Sequence, residues 1–302
     1  MSKPLDRLTL LETFARICDR GSISAAARDL GLSQASASRQ LKELEDRLGI
    51  QLIRRTTHSL ALTRSGQELL RDARELLADW DALEERHAGG DGTVRGPLKV
   101  VAPVALGQLH LADIALDYQL QHPLVSLTWE LEDHAIRFAE TGCDCWIKIG
   151  PVPDETLIVR QVGAVERLVV ATPDLVASRT IGTPDAVAAL PFVSLSPFEG
   201  GRIGLTSASG ERTEITPQIR VATNNIFAVH RAVLKGVGAA VLPRWFVDAD
   251  LSEGRLVDVM PEWRAARLSI HAAHLPARHQ PRRLSLFLEA IARAVPRIPG
   301  IE

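Results

Sequence analysis

Ser22-Ile-Ser-Ala-Ala-Ala-Arg-Asp-Leu30, then Gly31-Leu32, then Ser33-Gln-Ala-Ser-Ala-Ser-Arg-Gln-Leu-Lys-Glu-Leu-Glu-Asp-Arg-Leu48: this stretch decides how the rest of the chain is read. Ile23, Ala26, Ala27 and Leu30 fall on one face of a short helix. Ser22 suits its N-cap, since a hydroxyl there accepts from a first-turn N–H, and Gly31 can take the left-handed turn that ends it. Ser33 caps a second helix over 34–48. Its apolar residues Ala37, Leu41, Leu44 and Leu48 are spaced four, three and four, a stripe that calls for burial. At about 100° per residue, Ala35, Arg39 and Lys42 point the other way, with Ser38 at the edge and Gln34 at the exposed start. Two helices across a short glycine-bearing turn describe a helix-turn-helix, whose second helix starts in the major groove of double-stranded DNA. Gln pairs bidentately with adenine, Arg with guanine, and Ser serves base or phosphate. The competing reading is an ordinary pair of bundle helices.

The flanks favour the first reading. Leu8, Leu11, Ala15 and Cys18, with Phe14 beside them, form a helix that can cover the back of the pair. After Gly49, the segment 51–62 is short and β-prone. It reads as a hairpin carrying Arg54, Arg55 and His58, a basic wing for phosphates or the minor groove. The formal net charge of the 302 residues is only −2, but residues 1–66 hold 11 Lys/Arg against 7 Asp/Glu. A basic head on an acidic body fits local phosphate contact.

Thr63 can cap a further helix over 64–87, roughly 35 Å long at 1.5 Å per residue. Leu69, Ala73, Leu76, Trp80 and Leu83 alternate spacings of four and three, a coiled-coil seam. Pairing with the same helix of a second subunit would present two reading heads to two half-sites. Residues 88–93, Ala-Gly-Gly-Asp-Gly-Thr, form a flexible linker and a domain boundary.

Beyond it strands alternate with helices. Strands are expected at 98–102, 125–131, 143–149, 157–162, 167–171, 192–195, 220–223, 239–242 and 268–273. Helices or turns are expected at 106–121, from Asp133, and at 173–177, 184–190, 225–235 and 282–295. The alternation implies a largely parallel α/β sheet. The composition, 46% hydrophobic and 24% charged, is ordinary for a globular protein, and the length suggests two or more domains. No run approaches the roughly 18 apolar residues of a membrane span, and residues 1–11 lack a signal-like apolar core. A sparse set of three cysteines, Cys18, Cys143 and Cys145, suits a reducing cytoplasm. Trp146 and Lys148 are expected on one strand face, Cys143 and Cys145 on the other. That i,i+2 spacing is a strained one for a disulfide, which argues against a redox pair.

The residues now identify a likeness. Leu11-Glu-Thr-Phe14, Gly21-Ser22, Ala25-Ala26, Ser33-Gln34, Ser38-Arg39-Gln40-Leu41, Leu44-Glu45, Leu48-Gly49, Leu52, Arg55, Leu62-Thr63 and Gly66 resemble the LysR-type transcriptional regulators. A weaker C-terminal set, Gly142-x-Asp144, Ile147-Lys-Ile-Gly150 and Gly236-Val-Gly238 with Leu242-Pro243, extends the resemblance over nearly the whole chain. The resemblance implies an α/β protein with an N-terminal all-α winged helix-turn-helix over 1–62. It implies a long linker helix and hinge over 63–92, and a two-subdomain, periplasmic-binding-protein-like effector domain over 93–302. The chain would cross to the second subdomain near Gly163 and return near Arg267. The first subdomain would then hold 93–163 and 268–302, and the second 164–267. It further implies a cytoplasmic homodimer or homotetramer on interrupted inverted repeats, a small-molecule effector that is often an organic acid, and contact with RNA polymerase. Ala35 stands where the family often has proline, His58 where the wing often has arginine, Arg137 for a frequent aspartate and Lys148 for a usual arginine.

The DNA-facing set is therefore Ser33, Gln34, Ala35, Ser38, Arg39, Lys42, Arg54, Arg55 and His58. Ligands of open α/β sheets sit at the carboxyl ends of strands. One candidate is the turn Pro103-Val104-Ala105, where a helix start offers backbone N–H groups to an anion. This chain lacks the hydroxyls that many family members place there. The others are Ser194 with Ser196, and Asn224 with Asn225, which have turn and capping roles as their plainer reading. A solute-binding protein is the alternative that the C-terminal half alone would suggest. An enzyme is disfavoured, for no nucleophile elbow, phosphate loop or metal-spaced cluster is present, and no catalytic residue, metal or cofactor is expected.

Overall fold

A computed structural model describes residues 6–55, 60–87, 93–177, 181–196, 201–277 and 279–302. Helix α1 (Arg7–Arg20) backs the pair α2 (Ile23–Asp29) and α3 (Gln34–Leu48). Ser22 Oγ accepts the Ala25 N–H at 3.4 Å and Ser33 Oγ the Ser36 N–H at 3.1 Å, so each start is capped by its own hydroxyl. Gly31 and Gly49 have φ of 65° and 69°, the left-handed region that a side chain would strain, and there the chain leaves each helix. Phe14 and Ile17 pack with Ala26, Ala37, Leu41 and Leu44 in one core. Leu48, expected in the same stripe, is 45% exposed because the helix ends at it. Gln40 is buried instead, its amide oxygen taking the hydroxyl of Thr13.

Strands β1 (Ile53–Arg55) and β2 (Leu60–Leu62) pair antiparallel as the expected hairpin. Glu45 of α3 holds its base, accepting the N–H groups of Leu52 at 2.8 Å and Ile53 at 3.2 Å. Thr63 caps α4 (Arg64–His87) by accepting the Gly66 N–H at 2.9 Å, and donates to the Gln51 carbonyl at 2.7 Å. A Cβ on Gly66 would sit 2.1 Å from the Leu52 carbonyl oxygen, so only glycine fits where hairpin meets helix.

The seam expected along α4 is split. Ala73 is buried, and Leu69 is partly buried against the head together with Leu70, which the spacing did not select. Leu76, Trp80 and Leu83 stay 50%, 42% and 41% exposed. The head claims the inner face of the first turns and leaves the outer stripe of the later ones uncovered. Further along, α4 meets the C-terminal half: Asp81 pairs with Arg283 at 2.7 Å, and Asp79 accepts the His279 N–H at 3.1 Å.

That half opens with β3 (Gly96–Ala102). Its first helix starts at Val104, two residues earlier than expected. Short α5 (Val104–Leu106), a wide turn over Gly107–Leu111 and α6 (Ala112–Gln121) run on as one rod. Next come β4 (Val125–Leu131), α7 (Phe138–Thr141) and β5 (Cys145–Ile149). The helix expected from Asp133 begins only at Phe138, because Asp133 is engaged elsewhere, as described below. The two strands expected at 157–162 and 167–171 are one, β6 (Ile158–Ala171). Then follow α8 (Pro173–Val176), α9 (Pro184–Ala188) and β7 (Pro191–Leu195), and an unexpected hairpin, β8 (Ile203–Ser207) with β9 (Arg212–Ile215). After β10 (Gln218–Thr223), α10 (Ile226–Leu234) and β11 (Ala240–Pro243) comes an unexpected helix, α11 (Arg244–Ser252). The chain ends with β12 (Val257–Asp258), β13 (Trp263–His274) and α12 (Arg282–Ala294).

The main sheet is mixed rather than largely parallel, in the order β11-β6-β13-β5-β3-β4. β3 pairs parallel with β4 and β5, and β7 with β10, but β13 runs antiparallel to β5 and β6, and β11 to β6. The reason is topological. β6 leads away from the β3–β5 half toward β11, and β13 leads back, pairing with β8 at Trp263–Ala265 and with β5 at Ile270–Ala273. Register shifts between Ala265 and Leu268 and between Ile270 and His271 bend this returning strand.

Candidate functional sites

On the head, Gln34, Ala35, Arg39 and Lys42 are exposed on the side of α3 opposite its buried stripe, and Ser38 is half-buried. Ser33 is exposed, its hydroxyl shared between the Ser36 N–H and the Ser36 hydroxyl at 3.0 Å. Among the described residues neither Arg39 nor Lys42 makes an ion pair, whereas Arg47 on the same helix is held by Glu43 at 2.5 Å. Arg54 is exposed on the hairpin strand beside α3. The Arg55 side chain and His58 lie outside the described residues. The result is a capped helix start with amide, hydroxyl and uncommitted cationic side chains, the donors suited to base edges and phosphates.

The C-terminal half holds a cleft of about 760 Å³, open solvent at its mouth included, between the α5 start, the end of β5 and the start of α11. Pro103, Ala105 and Asn224 line it; Val104, Ser194, Ser196 and Asn225 do not. The backbone anion site expected at Val104 is occupied. The Val104 N–H donates to the Asp133 carboxylate at 2.9 Å, which places a negative charge at that helix start. Asn225 caps α10, its side chain accepting the Ala228 N–H at 3.2 Å. Ser194 is buried on β7, and Ser196 is exposed just beyond it.

Most of the lining is apolar, including Leu106, Val165, Ile226 and Leu268. Apart from Asn224, its polar groups come from residues not selected for the site from the sequence. Lys148 extends over the Trp146 ring, 5.2 Å from the centroid. Burial pushes its ammonium below the usual lysine range, and Asp133 opposes that shift. Arg167 is 9% exposed and donates Nε–H to the Ala266 carbonyl at 2.7 Å. Glu132 is held below its ordinary value by the His134 N–H at 2.9 Å and by the His134 ring at 2.8 Å. The indole N–H of Trp245 is buried and has no acceptor among the described residues.

Residues 8–67 match the family model described as bacterial regulatory helix-turn-helix protein, lysR family, and residues 91–296 match the LysR substrate binding domain. The chain belongs to the LysR family. This LysR-type transcriptional regulator therefore joins a helix-turn-helix DNA-binding domain to an effector-binding domain. It is 30% identical to the HTH-type transcriptional regulator PtxR of Pseudomonas aeruginosa, with 99% of this chain and 98% of the relative covered. It is 25% identical to the HTH-type transcriptional activator AaeR of Escherichia coli over 95% of this chain and 93% of the relative. Among solved structures its fold is similar to a full-length variant of OxyR from Pseudomonas aeruginosa, at a TM-score of 0.74, 19% identity and 99% and 97% coverage. It is also similar to the full-length Vibrio cholerae virulence activator AphB, at 0.59, 22% identity and 95% and 98% coverage. Among the described residues no helix is long and apolar enough to cross a membrane.

The regulator's cysteines are free. Cys145 packs with Ile147 in the large core, while Cys143 packs with Trp146 and Phe138 in a separate cluster, so the two do not share a side as strand parity implied. The strand starts only at Cys145, and parity does not extend back to Cys143. Burial pushes the Cys18 and Cys143 thiols up to about 12 and raises the Cys145 thiol well above the usual thiol range. At neutral pH they stay protonated and unreactive. Strand alternation could have flagged Lys148, but Trp245 and Arg167 reach the cleft only through the topology.

Proposed function

We propose that this regulator binds interrupted inverted-repeat promoter DNA as a dimer or tetramer and responds to a small organic effector in the cleft. The observation that carries the reading is the start of α3: buried apolar residues behind, and Gln34, Ala35, Arg39 and Lys42 exposed in front. Gln34 and Arg39 read base edges in the major groove, Ser33, Ser38 and Lys42 contact phosphates, and Ala35 packs against the groove wall. Arg54, Arg55 and His58 follow the backbone beside it as a wing. Residues 1–62 form the reading head and 63–92 the linker. Residues 93–302 form the effector domain, divided into 93–163 with 268–302 and 164–267.

The uncovered stripe Leu76, Trp80 and Leu83 pairs with its copy in a second subunit, setting two heads at half-site spacing. In the cytoplasm the effector shifts the balance between two arrangements of the subdomains or dimers, through its different affinity for each. Promoter bending and contact with RNA polymerase change with that balance. Fluorescence anisotropy with a promoter duplex and a scrambled duplex tests the DNA reading. Arg39→Ala is expected to cost about 1–3 kcal/mol on the promoter and little on the scrambled sequence. An equal loss on both would assign Arg39 to phosphate contact, and no loss on either would remove α3 from the interface.

A further inference from the structure

The polar groups of the cleft divide into spent and unspent. The Asp133 carboxylate takes the Val104 N–H, and Glu132 takes the backbone and ring of His134. Arg167 gives its Nε–H to the Ala266 carbonyl, and Asn224 is exposed to solvent. Two buried or half-buried donors have no hydrogen bond among the described residues. The Lys148 ammonium, half-buried over Trp146, makes no hydrogen bond among the described residues, and the Trp245 indole N–H is buried with no acceptor. A buried donor without a partner carries a desolvation cost that a bound acceptor relieves. The walls between them are apolar: Leu106, Val165, Ile226 and Leu268. Apolar walls with a few polar groups bury a hydrophobic body and fix its orientation.

We propose that the cleft takes a monoanion with an apolar body, its carboxylate on Lys148 and a further acceptor atom on the Trp245 N–H, while Asp133 bars anions from the start of α5. The inference rests on the cleft being the effector site, and it narrows the class of effector. A dicarboxylate would bring its second charge toward Asp133 or into apolar walls, both unfavourable, since Arg167, the other cation of the lining, is already engaged with the Ala266 carbonyl. An amine would meet Lys148. A neutral analogue would fill the walls and leave the ammonium unmatched.

Isothermal titration of the full-length protein with phenylacetate, phenylacetamide, phenethylamine and succinate tests this, with melting temperature as a second readout. Phenylacetate is expected to bind most tightly, phenylacetamide more weakly, and the other two not at all. Lys148→Met should weaken phenylacetate by about tenfold or more and phenylacetamide by much less. Lys148→Gln, which keeps a polar tip, is the second variant should the first fail to fold. Trp245→Phe should weaken both ring compounds severalfold. Tighter binding of phenethylamine or succinate, undiminished phenylacetate binding in folded Lys148 variants, or no phenylacetate binding at millimolar concentration would each overturn the proposal. Leu268→Trp narrows the cleft and separates the two readings. Phenylacetate binding that survives it places the ligand elsewhere and removes the cleft reading. Binding lost in Leu268→Trp yet indifferent to Lys148 keeps the cleft and removes only the class.

Discussion

Two helix starts in this protein are built from the same kind of turn and end up with opposite uses. α3 begins behind Ser33, a neutral hydroxyl cap, and its first residues face solvent beside Arg39 and Lys42, which make no ion pair among the described residues. α5 begins behind Pro103, which offers no capping side chain, and a carboxylate from the loop after β4 takes its Val104 N–H. Both have the positive end of a helix dipole. One leaves it facing solvent; the other has filled it from within. A helix start is therefore no anion site until it is known which side chain reaches its first N–H groups.

The largest break of this comparison comes from separating the two α3 helices of a dimer. Trp80→Glu puts a charge into the exposed stripe of α4. It should turn the dimer into monomer by light scattering and lower apparent promoter affinity by about 100-fold, since two linked heads gain that much from a shared site. A variant that stays dimeric would show that subunits meet elsewhere.

Reopening the α5 start is the next largest. Asp133→Ala leaves the Val104 N–H without its acceptor and should cost about 1–3 kcal/mol of stability. Sulfate should then raise the melting temperature of the variant more than that of the parent. An equal response in both would mean that Asp133 does not guard that start.

The smallest change is at the α3 cap itself. Ser33→Ala should cost about 1 kcal/mol in chemical denaturation, whereas Ser33→Asp should keep the cap and weaken DNA binding through repulsion of phosphate. Undiminished DNA binding by the Asp variant would place the phosphates away from the α3 start.

The head was readable residue by residue because its signals are local. Ser22, Gly31, Ser33 and Gly49 act within one turn of themselves, and the stripe Ala37, Leu41, Leu44 obeys the helical period. The miss at Leu48 is an end effect, and Gln40 was missed because its partner Thr13 lies 27 residues away. The effector half was readable as alternating elements but not as a site. The two strands expected around 157–171 are one, because residues 163–166 are paired by the returning β13 on one side and by Gly300 and Glu302 on the other. The mixed sheet follows from that return. Of the residues expected at the ligand, Pro103, Ala105 and Asn224 reach the cleft, while the donors there, Lys148 and Trp245, come from elements far apart in the chain.

By itself, then, the sequence determined the reading head, the linker helix and the alternation of the effector half, since caps, turns and hydrophobic periods are set by near neighbours. Only the tertiary structure decided which face of α4 stays open, which helix start is already filled, and which donors of the cleft lack partners. Those depend on residues tens to hundreds of positions apart, such as Asp133 with Val104 and Asp81 with Arg283. Whether a polar group or an apolar stripe is satisfied is a property of everything folded against it.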